Sequence, residues 1–511
     1  MKSIFKFLFN RIVFIGAALA LQLIAFIVMV LKFKNQFVYF YSASSILSII
    51  VVIFILNSRS KPVYKIAWII PILLFPIFGG LFYLMFGRGH LSQKAIRKMK
   101  IVDLKMAEAL EANDHILTEI EAEDVTAANQ SRYLSRFANC PPYKNSSTEY
   151  LPTGEAKFAK LLEELKKAKH YIFLEYFIIE EGIMWNSILD ILVEKAQAGV
   201  DVRVIYDDVG CMTKLPFRYD KKLEALGIKC AIFNPFLPIL SFTFNNRDHR
   251  KIVVIDGHTG FVGGINLADE YINAKERFGH WKDTALMIKG DAVWSLTVMF
   301  LSMWDYLKGI EEDYEEFKSD RYLEEKIESD GYVQPYSDNP LDYEPVSETV
   351  YLNLINKAKE YVYINTPYLI IDSEMVSAIC SAAKQGIDIR IITPHKPDKW
   401  YVHAVTRAHY EVMLEAGVKI YEYTPGFMHA KTFVVDDKYA VVGTINLDYR
   451  SLYLHYECGV WLFNTKSVAH VKQDFLDTLA VSHAIKLADM QNIKWYKKLL
   501  ATILRTFAPL M

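Results

Sequence analysis

One stretch occurs twice in this chain, and the repetition limits what the fold can be. The first copy reads His249-Arg250-Lys251-Ile252-Val253-Val254-Ile255-Asp256 and is followed by Gly263-Gly264-Ile265-Asn266. The second reads His429-Ala430-Lys431-Thr432-Phe433-Val434-Val435-Asp436, followed by Gly443-Thr444-Ile445-Asn446. His, Lys, Asp, Gly and Asn keep the same offsets in both copies. β-Branched and aromatic residues fill most of the gap between Lys and Asp, which predicts a buried strand with polar side chains at its start. Two copies in register predict two half-sites.

The repetition extends upstream. Tyr171-Ile172-Phe173-Leu174-Glu175 parallels Tyr361-Val362-Tyr363-Ile364-Asn365, and Gly199-Val200-Asp201-Val202-Arg203 parallels Gly386-Ile387-Asp388-Ile389-Arg390. Each half reads as helix, buried strand, helix, buried strand, helix, strand and motif strand. That alternation predicts an α/β layer structure with a mostly parallel or mixed sheet, duplicated rather than repeated as a solenoid.

At 511 residues the chain has room for two or three domains. Hydrophobic residues make up 52% of it, and most of the excess lies in the first ninety residues. Residues 12–31 form an apolar run between Arg11 and Lys32, long enough to cross a bilayer core of roughly 30 Å. Further spans are expected at about 38–56 and 66–86, the last carrying Pro71, Pro76 and Gly79-Gly80. Basic residues at Lys32, Lys34, Arg88, Lys94 and Arg97 slightly favour the catalytic side as cytoplasmic. The expected organisation is a transmembrane anchor over 1–88 and a charged, solvated helical connector over 89–145. Repeat domains over 146–330 and 331–485 follow, then an amphipathic segment over 486–511. An acidic run from Glu311 to about Asp330 also reads as solvated.

The net charge of −1 gives no bulk attraction for nucleic acid. Five cysteines without C-x-x-C spacing suggest neither a disulfide framework nor a zinc site. The apolar stretch Phe236–Phe244 before the first motif has no counterpart before the second. It reads either as a lip that admits acyl chains or as an ordinary buried strand.

His-x-Lys-x4-Asp followed by Gly-x-x-Asn, present twice, resembles the duplicated signature of the phospholipase D superfamily. The text around it, including Gly426-Phe427-Met428-His429-Ala430-Lys431-Thr432 and Asn446-Leu447-Asp448-Tyr449-Arg450-Ser451, is more particularly similar to bacterial cardiolipin synthases. The resemblance implies two tandem α/β/α sandwich domains that share one pseudo-twofold active site. It implies a phosphohistidine intermediate, no metal or other cofactor, and phosphatidyl transfer between phosphatidylglycerol molecules to give cardiolipin. A multi-pass cell-membrane protein whose partners are phospholipids follows from it, with homo-oligomerisation open. A hydrolase, another phosphatidyltransferase and a non-catalytic membrane scaffold are the alternatives.

A phosphodiester is anionic, so attack at phosphorus needs cations and hydrogen-bond donors. The candidate catalytic set is His249, Lys251, Asp256, His429, Lys431 and Asp436, with Asn266 and Asn446 as substrate-binding donors. Within it the lysines supply charge. The two aspartates are expected to bind backbone or a basic neighbour rather than substrate. The resemblance makes His249 the nucleophile and His429 the general acid and then base, roles that suit an imidazole. It also calls for carboxylates that orient the histidines, for which Asp283 and Glu457 are the candidates. The family commonly has Asn where this chain has Asp248, next to His249. His403, His409 and His455 are not expected to be catalytic, although His403 and Arg407 are placed to meet a lipid headgroup.

Overall fold

A computed structural model describes residues 37–511 except 77–78, 81–82, 84–92, 112–113, 236–245, 320–326, 343 and 511, together with a few positions between 20 and 32. The expected span 12–31 and the apolar stretch Phe236–Phe244 lie almost wholly outside the described residues. The chain divides into two compact units, one of residues 1–95, 234–245 and 506–511 and one of residues 96–233 and 246–505.

In the larger unit the first repeat contributes eight strands. They are β1 (Ser146–Leu151), β2 (Tyr171–Tyr176), β3 (Asp201–Asp207), β4 (Lys229–Phe233), β5 (Lys251–Ile255), β6 (Thr259–Gly263), β7 (His280–Lys282) and β8 (Ala285–Gly290). Seven form a sheet in the order β1-β8-β6-β5-β2-β3-β4. The second repeat supplies β9 (Tyr332–Asp338), β10 (Tyr361–Asn365), β11 (Leu369–Ile370), β12 (Asp388–Pro394), β13 (Lys419–Tyr423) and β14 (Gly426–Met428). It continues with β15 (Thr432–Val435), β16 (Tyr439–Gly443), β17 (Leu447–Asp448), β18 (Glu457–Phe463) and β19 (Ser482–Ala484). Its sheet runs β19-β13-β12-β10-β15-β16-β18-β9. Apart from the added edge strand β19, the two orders match position for position.

The sheets are mixed. Helix crossovers such as Ile183–Gln197 make β2 and β3 parallel, whereas tight turns make β5 and β6 antiparallel, as connection length requires. Both motif strands are buried throughout and lie in the middle of their sheets, β5 between β2 and β6 and β15 between β10 and β16. The helix Val293–Lys308 is buried along most of its length, and Phe300 stacks on Phe173 at 4.5 Å. It belongs to a core that also holds Val441, Val460 and Trp461 of the second repeat. The repeats therefore share one hydrophobic interior.

The connector before the first repeat is not solvated as expected. Its helices Gln93–Ala109, Asp114–Glu123 and Val125–Phe137 bury Met99, Met106, Leu110, Ile120, Ala128 and Leu134 in that same core. Some of the charges that made the stretch look solvated are themselves tied to the folded unit, Lys98 to the Tyr306 carbonyl and Lys105 to Asp305. The acidic run is likewise partly anchored, since Tyr314 is buried and Glu312 pairs with Arg203.

In the smaller unit the helix Phe37–Leu56 falls on the second expected span, and Pro62–Leu74 covers the start of the third. Val51, Ile55, Ile72 and Tyr83 form a small core there, while Ile46, Ile49, Ile50 and Ile53 remain exposed. Ser48 donates to the Pro76 carbonyl at 2.9 Å, and a Cβ at Gly80 would meet that hydroxyl at 2.9 Å. The fully described stretch of the first helix is 41–56, and among the described residues no helix is long and apolar enough to cross a membrane.

Candidate active site

The two motif histidines are fixed first by backbone. The His249 N–H donates to the Tyr456 carbonyl at 2.9 Å, and the Tyr456 N–H returns a bond to Arg247 at 2.9 Å. In the other motif the His429 N–H donates to the Lys282 carbonyl at 2.7 Å, where β14 pairs in parallel with β7. Tyr456 immediately precedes Glu457, and Lys282 immediately precedes Asp283. Each clasp thus delivers a carboxylate from one repeat to the histidine of the other.

Glu457 Oε1 and Oε2 lie 2.9 and 3.0 Å from His249 Nδ1, and Asp283 Oδ2 lies 2.6 Å from His429 Nδ1. A carboxylate partner places the proton on Nδ1 and leaves the Nε2 lone pair for chemistry. Lys431 Nζ is also 2.9 Å from His429 Nδ1, but an ammonium and an N–H are both donors, so the shorter carboxylate contact sets the tautomer. Period-two alternation in the extended chain puts His and Lys on one face, and each lysine bonds its own histidine's carbonyl.

All four groups are buried, which disfavours their charged forms. Burial, reinforced by Lys251, holds His249 well below 6.5, and burial with Lys431 holds His429 at about 4. Both imidazoles are therefore neutral near pH 7. Burial brings Lys251 down to about 7 against the pull of Glu457, and Lys431 to about 8 against that of Asp283. Burial raises Glu457 well above the usual carboxylate value, with Lys251 opposing.

The remaining candidates take different places. The Asp256 carboxylate accepts the backbone N–H groups of Lys169, His170 and Tyr171, each at 2.8 Å. Asp436 does the same with Lys359, Glu360 and Tyr361 at 2.7 to 2.9 Å. Both aspartates have positive φ, at 49° and 53°, and open the turn after the motif strand. They join elements of the fold rather than reaching toward the histidines. Asn266 accepts from Ile178 N–H at 3.0 Å and donates to Tyr271 Oη at 2.7 Å, while Asn446 keeps a buried Oδ1 with no hydrogen-bond partner. Asp248 Oδ1 faces the Arg250 side chain at 3.2 Å, and Glu175 binds that guanidinium as well, so its charge is directed to Arg250. His409 is buried on the Val405 carbonyl, and Arg407 Nε stands 3.6 Å from Glu422 rather than beside either motif.

The two halves seat their carboxylates differently. A Cβ at Gly264 would lie 2.1 Å from Asp283 Oδ1, so only glycine leaves room for that carboxylate. At the equivalent position Thr444 uses its hydroxyl to bond Glu457. Sequence reasoning missed His455. Its ring centroid is 5.7 Å from that of His249, its Nε2 accepts from Arg450 Nε at 3.2 Å, and its Nδ1 is buried 3.9 Å from Glu457. The available signal was parity, since His455 and Glu457 lie two residues apart and so share a face. Ligand atoms of His249, His455 and Glu457 fall within 4.8 Å of one another, but the cations of Lys251, Arg247 and Arg450 bear on the same histidines. The group suits an anion better than a metal cation.

Against known proteins, the family described as "Cardiolipin synthase, PLD-like domain" matches residues 161–304 and 351–479. The chain belongs to this family. A second family, "Phospholipase_D-nuclease N-terminal", matches residues 46–88. A cardiolipin synthase of Halalkalibacterium halodurans is 36% identical over 480 residues, covering 92% of this chain and 94% of the relative. An uncharacterized protein of Streptococcus mutans is 46% identical over 464 residues, or 90% of this chain and 99% of the relative. Among solved structures, a phosphatidylserine synthase of Haemophilus influenzae aligns with a TM-score of 0.55 at 16% identity, covering 75% of this chain and 97% of that one. That likeness supports the fold alone. In this member of the cardiolipin synthase family each repeat's histidine takes its carboxylate partner from the other repeat.

Proposed function

We propose that the protein is a cardiolipin synthase that transfers a phosphatidyl group from one phosphatidylglycerol to another. The observation that carries this reading is the pair of neutral, carboxylate-oriented histidines with two lysines beside them. His249 Nε2 attacks phosphorus, forming a P–N bond as the P–O bond to glycerol breaks; His429, which takes up a proton on Nε2 as the anionic phosphodiester binds, passes it to the departing glycerol oxygen. His429 then removes the proton from the terminal hydroxyl of a second phosphatidylglycerol. That oxygen attacks the phosphohistidine, cardiolipin leaves and His249 is restored. One phosphodiester is exchanged for another, so no energy donor is required.

Lys251 and Lys431 neutralise the non-bridging oxygens, and the bound anion in turn favours their charged forms. The Asn446 amide N–H serves as a further donor. Asn266 acts through Tyr271 and the loop at Ile178 rather than on the phosphate directly.

The apolar sequence of 38–56, the exposed isoleucines of that helix and the match over 46–88 support a membrane-anchored enzyme. The basic residues after Arg88 favour a cytoplasmic catalytic unit. Incubating the purified protein with phosphatidylglycerol vesicles tests the reading. Cardiolipin and free glycerol should appear with the wild type and not with His249→Ala. Phosphatidic acid in place of cardiolipin would make water the acceptor and the protein a hydrolase.

A further inference from the structure

The helix Trp495–Phe507 has no part in the catalytic reading. With 3.6 residues per turn, Trp495, Tyr496, Leu499, Leu500 and Ile503 fall on one half of its surface, and Lys494, Lys498, Thr502 and Arg505 fall on the other. An amphipathic helix of a globular protein turns its apolar face to the core. Here no residue of the helix is buried, and Trp495, Leu499 and Ile503 are 75%, 53% and 48% exposed.

The polar side is the attached one. Lys498 Nζ bonds the Glu411 carboxylate at 3.0 and 3.1 Å, and just before the helix Met490 is buried and Ile493 packs on the core. Beyond the helix, in the smaller unit, the turn Ala508–Leu510 packs against the apolar helix Pro62–Leu74. From 490 to 511 there are four basic residues and no acidic one, in a chain whose net charge is −1.

We propose that the helix Trp495–Phe507 lies in the interface of an anionic phospholipid membrane. Its apolar face sits among the upper acyl chains, and the positive charge of Lys494, Lys497 and Arg505 behind that face draws the helix to a negatively charged surface. Indole and phenol rings at its start suit the boundary between hydrocarbon and water. This is a second attachment in addition to the amino-terminal segment. It goes beyond the phosphatidyltransferase reading and holds whatever lipid the site turns over.

Because the five native cysteines are buried, an exposed one can be labelled selectively in the full chain. Leu499→Cys and Thr502→Cys proteins carrying an environment-sensitive nitrobenzoxadiazole would be reconstituted into phosphatidylcholine vesicles, with or without an equal part of phosphatidylglycerol. The local label is read, so attachment through the amino-terminal segment does not mask the result, and turnover plays no part. At 499 the emission should rise at least twofold and shift to the blue in the anionic vesicles. It should be quenched by lipids brominated on the acyl chain, and the gain should fall when Lys494, Lys497 and Arg505 are changed to Gln. At 502 the label should stay aqueous. Aqueous emission at 499 in both lipids would overturn the proposal. So would shielding at 499 that acyl-chain bromines do not quench, because protein would then be the cover.

Discussion

His249 Nδ1 and Glu457 Oε1 sit 2.9 Å apart although 208 residues of chain separate them. His429 and Asp283 repeat the relationship in the opposite direction, at 2.6 Å. Neither repeat therefore holds both a motif histidine and the carboxylate bonded to it. Glu457→Gln preserves the side chain's shape but removes the charge that holds the proton on Nδ1. Its expected cost is about 10³ to 10⁴ in kcat, the scale of losing a histidine's orienting carboxylate elsewhere. Steady-state phosphatidyl transfer with KM measured separately checks this, and a loss below tenfold would remove the orienting role.

Gly264→Ala addresses the other carboxylate without removing a polar group. The added methyl would meet Asp283 Oδ1 at 2.1 Å and must displace it from His429. Misplacing a catalytic group by an ångström costs on the order of 10²-fold. The variant should keep its secondary structure by circular dichroism and lose activity on that scale. Wild-type turnover would show that the Asp283 contact is dispensable.

The titrating groups set a pH profile with a definite sign. His249 must be neutral to attack and the lysines charged. With His249 held well below 6.5, the acid limb of kcat/KM should lie well below pH 6.5 rather than near it. With Lys251 at about 7 and Lys431 at about 8, the alkaline limb should begin between those values. Stability follows by linkage. The unfolded chain binds more protons than the folded one below about 6.5, at the histidines, and from about 7 to 10, at the lysines. Tm should therefore rise with pH through both windows, and drop on acidification through each. A histidine-like acid limb at 6.5 would contradict the buried, neutral pair.

Asp256 predicts the opposite phenotype to Glu457. Asp256→Ala leaves three backbone N–H groups without their acceptor, and one buried orphan typically costs about 1 to 3 kcal/mol. Tm should fall clearly, while turnover per folded molecule stays within a few-fold. Asp436→Ala should cost less, because the N–H groups of Lys359 and Glu360 that it binds are exposed. Thermal unfolding of both variants beside their activities separates fold from chemistry.

Much of this protein is legible from local pattern alone. The duplicated motif, the buried β-branched strands and the helical crossovers are carried by residues within a few positions of one another. The two α/β repeats and the identities of His249, Lys251, His429 and Lys431 follow from that spacing. Asp283 and Glu457 could be named as candidates, but not assigned to a histidine, because the assignment depends on two backbone clasps between repeats. Tertiary packing alone decided that exchange, as it decided that Asp256 serves three backbone donors and that His455 stands beside His249. The connector shows the same limit. Its charges predicted solvation, whereas Met99, Met106 and Ile120 bury one face in the shared core. Sequence determined which chemical groups are available and which strands bear them. Which group meets which was decided by the closing of two sheets over one interior, where a buried polar atom must find a partner and, for His249, that partner lies 208 residues away.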